Sequence, residues 1–154
     1  MFLVISFFLI WYKLKPYIDK KLKVEQIKCF DPACGSGNFL IITYKELRRL
    51  EIRIWKRITE LTGIRIIPFS NISILQFYGI ELDSFAHEIA MLSLWLAEHQ
   101  MNAEFTKTFS QVKFDALPLK NITTIVQGNA CRSPDPGASD SHPRRCFARR
   151  PGPS

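Results

Sequence analysis

A chain of 154 residues, 47% hydrophobic and 23% charged, is long enough to bury one core and too short for two ordinary domains. Its formal net charge of +7 is unevenly spread: the last 24 residues, with five arginines and two aspartates, supply +3, and the rest of the chain +4. An excess of that size suits a nucleic-acid binder and equally an ordinary soluble surface, so charge alone selects no partner.

Residues Met1 to Tyr12 are almost all apolar or aromatic. The run is too short to span a bilayer, and no basic residue precedes it as a secretory signal requires. The lysines that follow (Lys13, Lys15, Lys20, Lys21 and Lys23) fit either a crude membrane anchor or a helix that packs within a larger protein. The second reading is preferred, so residues 1–26 are taken as an apolar and basic helical lead-in, with membrane attachment disfavoured.

Ile27, Cys29 and Phe30 make a short apolar run, and Asp31-Pro-Ala-Cys-Gly-Ser-Gly-Asn-Phe-Leu40 follows at once. Two glycines around one serine, between a strand and a helix, place a tight turn at a strand's carboxyl end. Glycine there permits positive φ and lets a ligand approach the main chain without a Cβ in the way. Leu47, Leu50, Ile54, Ile58 and Leu61 then recur at helical spacing, with Lys45, Arg48, Arg49, Arg53 and Lys56 assigned to other faces. Gly63 is the expected stop of that helix. An irregular stretch through Pro68 and Asn71 leads to Phe77-Tyr-Gly-Ile80, a second buried strand ending at Glu81. Asp83 or Ser84 can cap the next helix, whose apolar stripe reads Phe85, Ile89, Leu92, Leu96. A polar connection from Asn102 to Lys120 and a third strand within Asn121 to Gln127, ending at Gly128-Asn129, complete the series.

The order strand–helix–strand–helix–strand predicts the first half of a doubly wound α/β sheet, which gathers Asp31, Glu81 and Asn129 at neighbouring strand ends. A nucleoside ligand needs an anchor for its ribose diol and a partner for its base. Glu81 can accept from both hydroxyls, and the Asn129 side-chain oxygen can accept from an amino group. Glu81 lies far beyond Gly37 compared with the roughly 20 residues of a dinucleotide-binding fold, which argues against plain NAD binding.

Three strings carry a family resemblance. Asp31 to Leu40, Phe77-Tyr-Gly-Ile-Glu-Leu-Asp83 and Gly128-Asn-Ala130 resemble motifs I, II and III of gamma-order DNA adenine-N6 methyltransferases. Trp95-Leu-Ala-Glu-His-Gln-Met-Asn102 and Leu117-Pro-Leu119 resemble large restriction-modification polypeptides that join nuclease, methyltransferase and target-recognition regions. The resemblance implies a Rossmann-like class I methyltransferase fold, of which residues 27–130 hold only the three-strand half that binds S-adenosyl-L-methionine. It implies that Asp31, Pro32, Ala33, Cys34, Gly35, Gly37 and Phe39 surround the methionine end. Glu81 would then hold the ribose, Leu82 would pack on the adenine ring, and Asn129 would contact adenine N6. Double-stranded DNA is the implied partner of the complete enzyme.

The family's catalytic Asn/Asp/Ser-Pro-Pro-aromatic is missing, for no Pro-Pro pair occurs in the sequence, and Ser133-Pro-Asp-Pro136 does not replace it. That motif holds the flipped adenine while its N6 attacks the sulfonium methyl. The chain is therefore expected to lack catalytic residues and to be inactive alone, a non-catalytic module complementing a separate polypeptide, or a pseudogene product. From Cys131 to Ser154 the composition turns to proline, arginine, serine and glycine. The break suggests a disordered tail or, preferably, a shifted reading frame. Cys131, His142 and Cys146 match no zinc spacing and lack a fourth ligand, so no metal is expected. Cys29 and Cys34, in a strand and its turn, read as free thiols of a cytoplasmic protein.

Overall fold

A computed structural model describes residues 2–63, 66–112, 114 and 124–131, with side chains from Trp11 onward. Three helices and three parallel strands alternate along it: α1 (Phe2–Glu25), β1 (Cys29–Asp31), α2 (Asn38–Thr62), β2 (Phe77–Glu81), α3 (Ser84–Thr108) and β3 (Ile125–Gln127). One 3₁₀ turn, Ile74–Gln76, leads into β2. This is the expected strand–helix–strand–helix–strand order, and Ile125–Gln127 falls inside the segment predicted for the third strand.

The strands stand in the order β1-β2-β3, with Asp31 beside Gly79 and Gly79 beside Ile125. Two right-handed crossovers made in the same direction put α2 and α3 on one face of the sheet, where they pack together and α1 packs on α2. Side chains alternate across the pleat, so Phe77 and Gly79 face that layer. The Phe77 ring meets the Tyr44 ring of α2 edge-on at 5.3 Å. Phe30, Tyr78, Ile80 and Val126 share the opposite face, where Phe30 and Val126 stay over a third exposed.

Turn chemistry bounds the elements as expected. Gly63 ends α2 in the left-handed region at φ 63°, and its N–H donates to the Thr59 carbonyl. Asp83 caps α3, its carboxylate accepting from the Ala86 N–H at 2.7 Å. The Gln76 side chain donates to the carbonyls of Glu25 and Ile27, tying the end of α1 to the start of β2.

Three readings of the helices need correction. Of the expected stripe, Phe85, Leu92 and Leu96 point outward, with Phe85 74% exposed, and Ile89 is half-buried, whereas Ala90, Leu94, Ala97, Met101 and Phe105 are buried. Both sides of α3 are apolar at helical spacing, and the small Ala90 and Ala97 let its backbone approach the rest of the fold closely. The helix also runs past Asn102 to Thr108, because Phe105 is fully buried and stacks near Phe109 and Phe114. Finally, Arg48 is buried rather than on an outer face. Its guanidinium donates to Asn102 Oδ1 at 2.9 Å and to Ser70 Oγ, lies 3.5 Å from Glu51 Oε2, and sits beside the Phe105 and Phe114 rings. The two terminal nitrogens of this buried cation are thus hydrogen-bonded, while its Nε is buried without a partner.

No helix among the described residues is long and apolar enough to cross a membrane. The α1 helix continues through Pro16, and its Lys21, buried beside Glu25, lies over the rings of Trp55 and Phe69. His142, Cys146 and nearly all of the tail fall outside the described residues.

Candidate functional site

The carboxyl ends of β1, β2 and β3 lie side by side, and the glycine turn sits across the first two. Asp31 begins that turn, its carboxylate accepting from the Ala33 N–H at 3.1 Å. Cys34 then folds back on β2, its N–H donating to the Ile80 carbonyl at 3.0 Å, while Gly37 N–H donates to the Cys34 carbonyl at 2.8 Å. Gly35 and Gly37 both take positive φ, 54° and 81°. Their demands differ in kind. A Cβ on Gly35 would meet nothing within 4 Å, so that backbone faces open space, whereas a Cβ on Gly37 would press at 3.3 Å on Ala90 of α3. Gly37 thus seats the turn against α3, and Gly35 presents bare main chain to the crevice.

Gly79 has a structural role that its place inside a strand did not advertise. A Cβ there would stand 2.8 Å from Cys34 Sγ and 3.3 Å from Leu40 Cδ1. The missing side chain makes room for the Cys34 thiol, which is buried under the turn. Burial, reinforced by the charges of Asp31 and Glu81, pushes that thiol up to about 11. Buried against Gly79, it is a packing group of the turn.

Glu81 links the first two strand ends. Its Oε2 accepts from the Gly35 N–H at 2.7 Å, joining residues 46 apart in sequence, and its Oε1 accepts from the Asp83 N–H at 3.0 Å. Those bonds, that from Asp83 first and that from Gly35 next, hold the carboxyl below the usual glutamate value. A carboxylate has about four acceptor positions, so part of its accepting capacity remains for a ligand beside the Asp83, Gly35 and Leu82 N–H groups. The third strand end joins through Gly128, whose N–H donates to the Glu81 carbonyl at 2.8 Å.

The remaining predicted site residues divide by exposure. Pro32, Ala33, Phe39, Leu82 and Asn129 are exposed, with Leu82 69% and Phe39 56% accessible. The Asn129 side-chain oxygen turns back on its own loop and accepts from the Cys131 N–H at 2.9 Å. One contact had no signal in the sequence: His87, in the first turns of α3, reaches the Ile125 carbonyl of β3 at 3.1 Å. The helix α2 starts at Gly37 with no side chain capping it, so the positive end of a 25-residue helix opens on the turn. The crevice thus combines the uncapped start of α2, a carboxylate and exposed apolar side chains. Such a set can hold a ligand that carries a carboxylate, a diol and a flat ring.

Comparison with known proteins gives this arrangement a family. "DNA methyltransferase A" of Bacillus subtilis (strain 168) is 53% identical over 110 residues, which is 71% of this chain and 12% of that protein. A Methanocaldococcus jannaschii protein named as a type II restriction enzyme and methyltransferase is 38% identical over 84 residues, 54% of this chain and 7% of its own length. The solved structure of the Type IIL restriction-modification enzyme MmeI, in complex with DNA, superposes with a TM-score of 0.68 at 33% identity, covering 83% of this chain and 18% of that one. The chain thus spans less than a fifth of each of these proteins. The family model described as the DNA-methyltransferase domain of MmeI matches residues 13–135, most of the sequence, and the chain belongs to that family of methyltransferase domains from restriction-modification enzymes.

Proposed function

We propose that residues 27–130 form the S-adenosyl-L-methionine-binding half of a Rossmann-like DNA adenine-N6 methyltransferase, and that the 154-residue chain does not methylate DNA unaided. The observation that carries this reading is the 2.7 Å bond from Gly35 N–H to Glu81 Oε2. It brings the residues expected at the methionine and ribose ends of one ligand to a single place. The open space over Gly35 and the uncapped start of α2 fit a bound carboxylate, and the free acceptor positions of Glu81 fit a ribose diol.

In this reading the turn from Asp31 to Gly37, with Phe39, encloses the methionine end. Glu81 fixes the ribose, Leu82 covers the adenine ring, and the Asn129 oxygen, able to accept a second hydrogen bond, receives the N6 amino group. The bound molecule supplies an electrophilic methyl on sulfur, and the chain's own residues position it. Positioning is the larger share of catalysis in such a transfer, yet it requires the target adenine to be held as well. The Pro-Pro-aromatic motif that would hold it is absent from the sequence.

Double-stranded DNA is the substrate we assign to the complete enzyme, consistent with the DNA bound in the MmeI structure. A complementing polypeptide carrying the missing motif is the alternative route to activity. The partly exposed Phe30 and Val126, on the face of the sheet away from α2 and α3, support it. The free thiols Cys29, Cys34 and Cys131 agree with a cytoplasmic setting.

Incubating the purified chain with methyl-labelled S-adenosylmethionine and adenine-containing duplex DNA tests both halves of the proposal. The expected result is label retained by the protein and none in the DNA. Label in the DNA contradicts the assigned inactivity, and no retained label contradicts the cofactor site.

A further inference from the structure

His87 is the feature of the crevice that the reading above leaves without a role. In a parallel sheet, alternate residues of an edge strand aim their N–H and C=O groups at the neighbouring strand and away from it. Thr124 turns its carbonyl to β2, accepting from the Gly79 N–H at 3.0 Å, so the Ile125 carbonyl points to the free edge. Among the described residues no strand lies beyond β3. The bond that this carbonyl would accept from a further strand comes instead from His87 Nε2 at 3.1 Å. A carbonyl oxygen has no proton to give, so Nε2 carries the hydrogen. The ring is only 14% exposed, and its Nδ1 lies 3.6 Å from Glu88 Oε1.

The position of this bond matters because β3 is short. It has three residues, paired on one side to β2, and its end carries Gly128 and Asn129. The α3 backbone at His87 is itself fixed, for the His87 N–H donates to the Asp83 carbonyl at 3.0 Å, within two residues of Glu81. One rigid unit therefore holds both the expected ribose carboxylate and, through an imidazole, the strand that bears the expected adenine contact. We propose that His87 is a positioning residue for the adenine end of the crevice: it clamps the outer edge of β3 so that Asn129 stays in reach of a base held beside Glu81. The inference rests on the cofactor reading above and adds to it which residue sets base selectivity from outside the pocket.

Selectivity at the base supplies a readout that global stability does not move. S-Adenosylhomocysteine presents a 6-amino group to Asn129, whereas S-inosylhomocysteine presents a 6-oxo group and an N1–H in place of the adenine N1 acceptor, and the two are otherwise alike. The full 154-residue chain should prefer the adenosyl compound by about tenfold, the value of one well-placed hydrogen bond. In His87→Leu the preference should fall below about threefold. His87→Gln, whose amide nitrogen can stand where Nε2 stood, should restore it, and the shorter His87→Asn should not. An unchanged preference in a folded His87→Leu chain overturns the inference and leaves the cofactor site standing. If the leucine variant does not fold, the glutamine and asparagine variants decide the matter, and equal preference in those two overturns it. Failure of the unmodified chain to bind either compound overturns the cofactor reading and this inference together.

Discussion

Gly79 and Gly35 serve the crevice in opposite ways, and the difference sets what substitution does at each. Gly79 gives up its side chain to the Cys34 thiol, at 2.8 Å from where a Cβ would stand, with backbone of ordinary φ. Gly79→Ala overpacks the space under the turn and should cost roughly 1–3 kcal/mol in chemical denaturation. Cys34→Ala in the same chain should recover part of that loss, because it removes the sulfur that the new methyl strikes. A Gly79→Ala chain as stable as the parent within about 0.5 kcal/mol contradicts this packing account. Gly35 and Gly37 were legible in the sequence, since a Gly-Ser-Gly turn after an apolar run announces positive φ. Gly79 was not. Its reason is a thiol 45 positions earlier, and no local pattern encodes a contact of that range.

At the level of elements, α3 is where periodicity misled. Its outward stripe of Phe85, Leu92 and Leu96 and its buried stripe of Ala90, Leu94, Ala97, Met101 and Phe105 both repeat at helical spacing. Larger side chains on the outer stripe made it the apparent core face. The small residues instead mark the close contact, with Gly37 of the turn lying against Ala90. Denaturation of single variants separates the two faces: Leu94→Ala should cost about 2–5 kcal/mol, and Leu92→Ser should stay within about 0.5 kcal/mol. Similar losses at both positions would mean that the outer stripe is covered in the folded chain. The α2 helix shows the converse limit. Its stop at Gly63 follows from local glycine chemistry and was visible in sequence, but the burial of Arg48 depends on Ser70 and Asn102, which only the fold brings near. Trp95 to Asn102, noticed as a family string, thereby gains a physical role: its last residue holds the buried arginine between two helices.

For the whole molecule, sheet order decides which parts of the crevice are complete. The expected site residues of β1 and β2 meet through Glu81, and β3 closes the series through Gly128. The strand–helix–strand–helix–strand succession and the gathering of the three strand ends were legible, because a parallel sheet puts every strand's carboxyl end on one edge, whereas the bonds that join those ends through Glu81 were not. The orientation of the Asn129 side chain was not, for it is set by a hydrogen bond within its own loop. The opposite face of the sheet carries Phe30 and Val126 in partial exposure, which limits what the chain can be asked to do by itself. The function proposed above is binding rather than turnover, and in that proposal Glu81 is the residue on which binding converges. Calorimetric titration of S-adenosylmethionine into the 154-residue chain and into its Glu81→Ala variant tests this most directly. The account predicts saturable one-to-one binding by the parent chain and at least about a tenfold weaker affinity in the variant, from loss of charge-assisted bonds to the ribose. Equal affinity in the two chains, or no saturable binding by the parent, would contradict it.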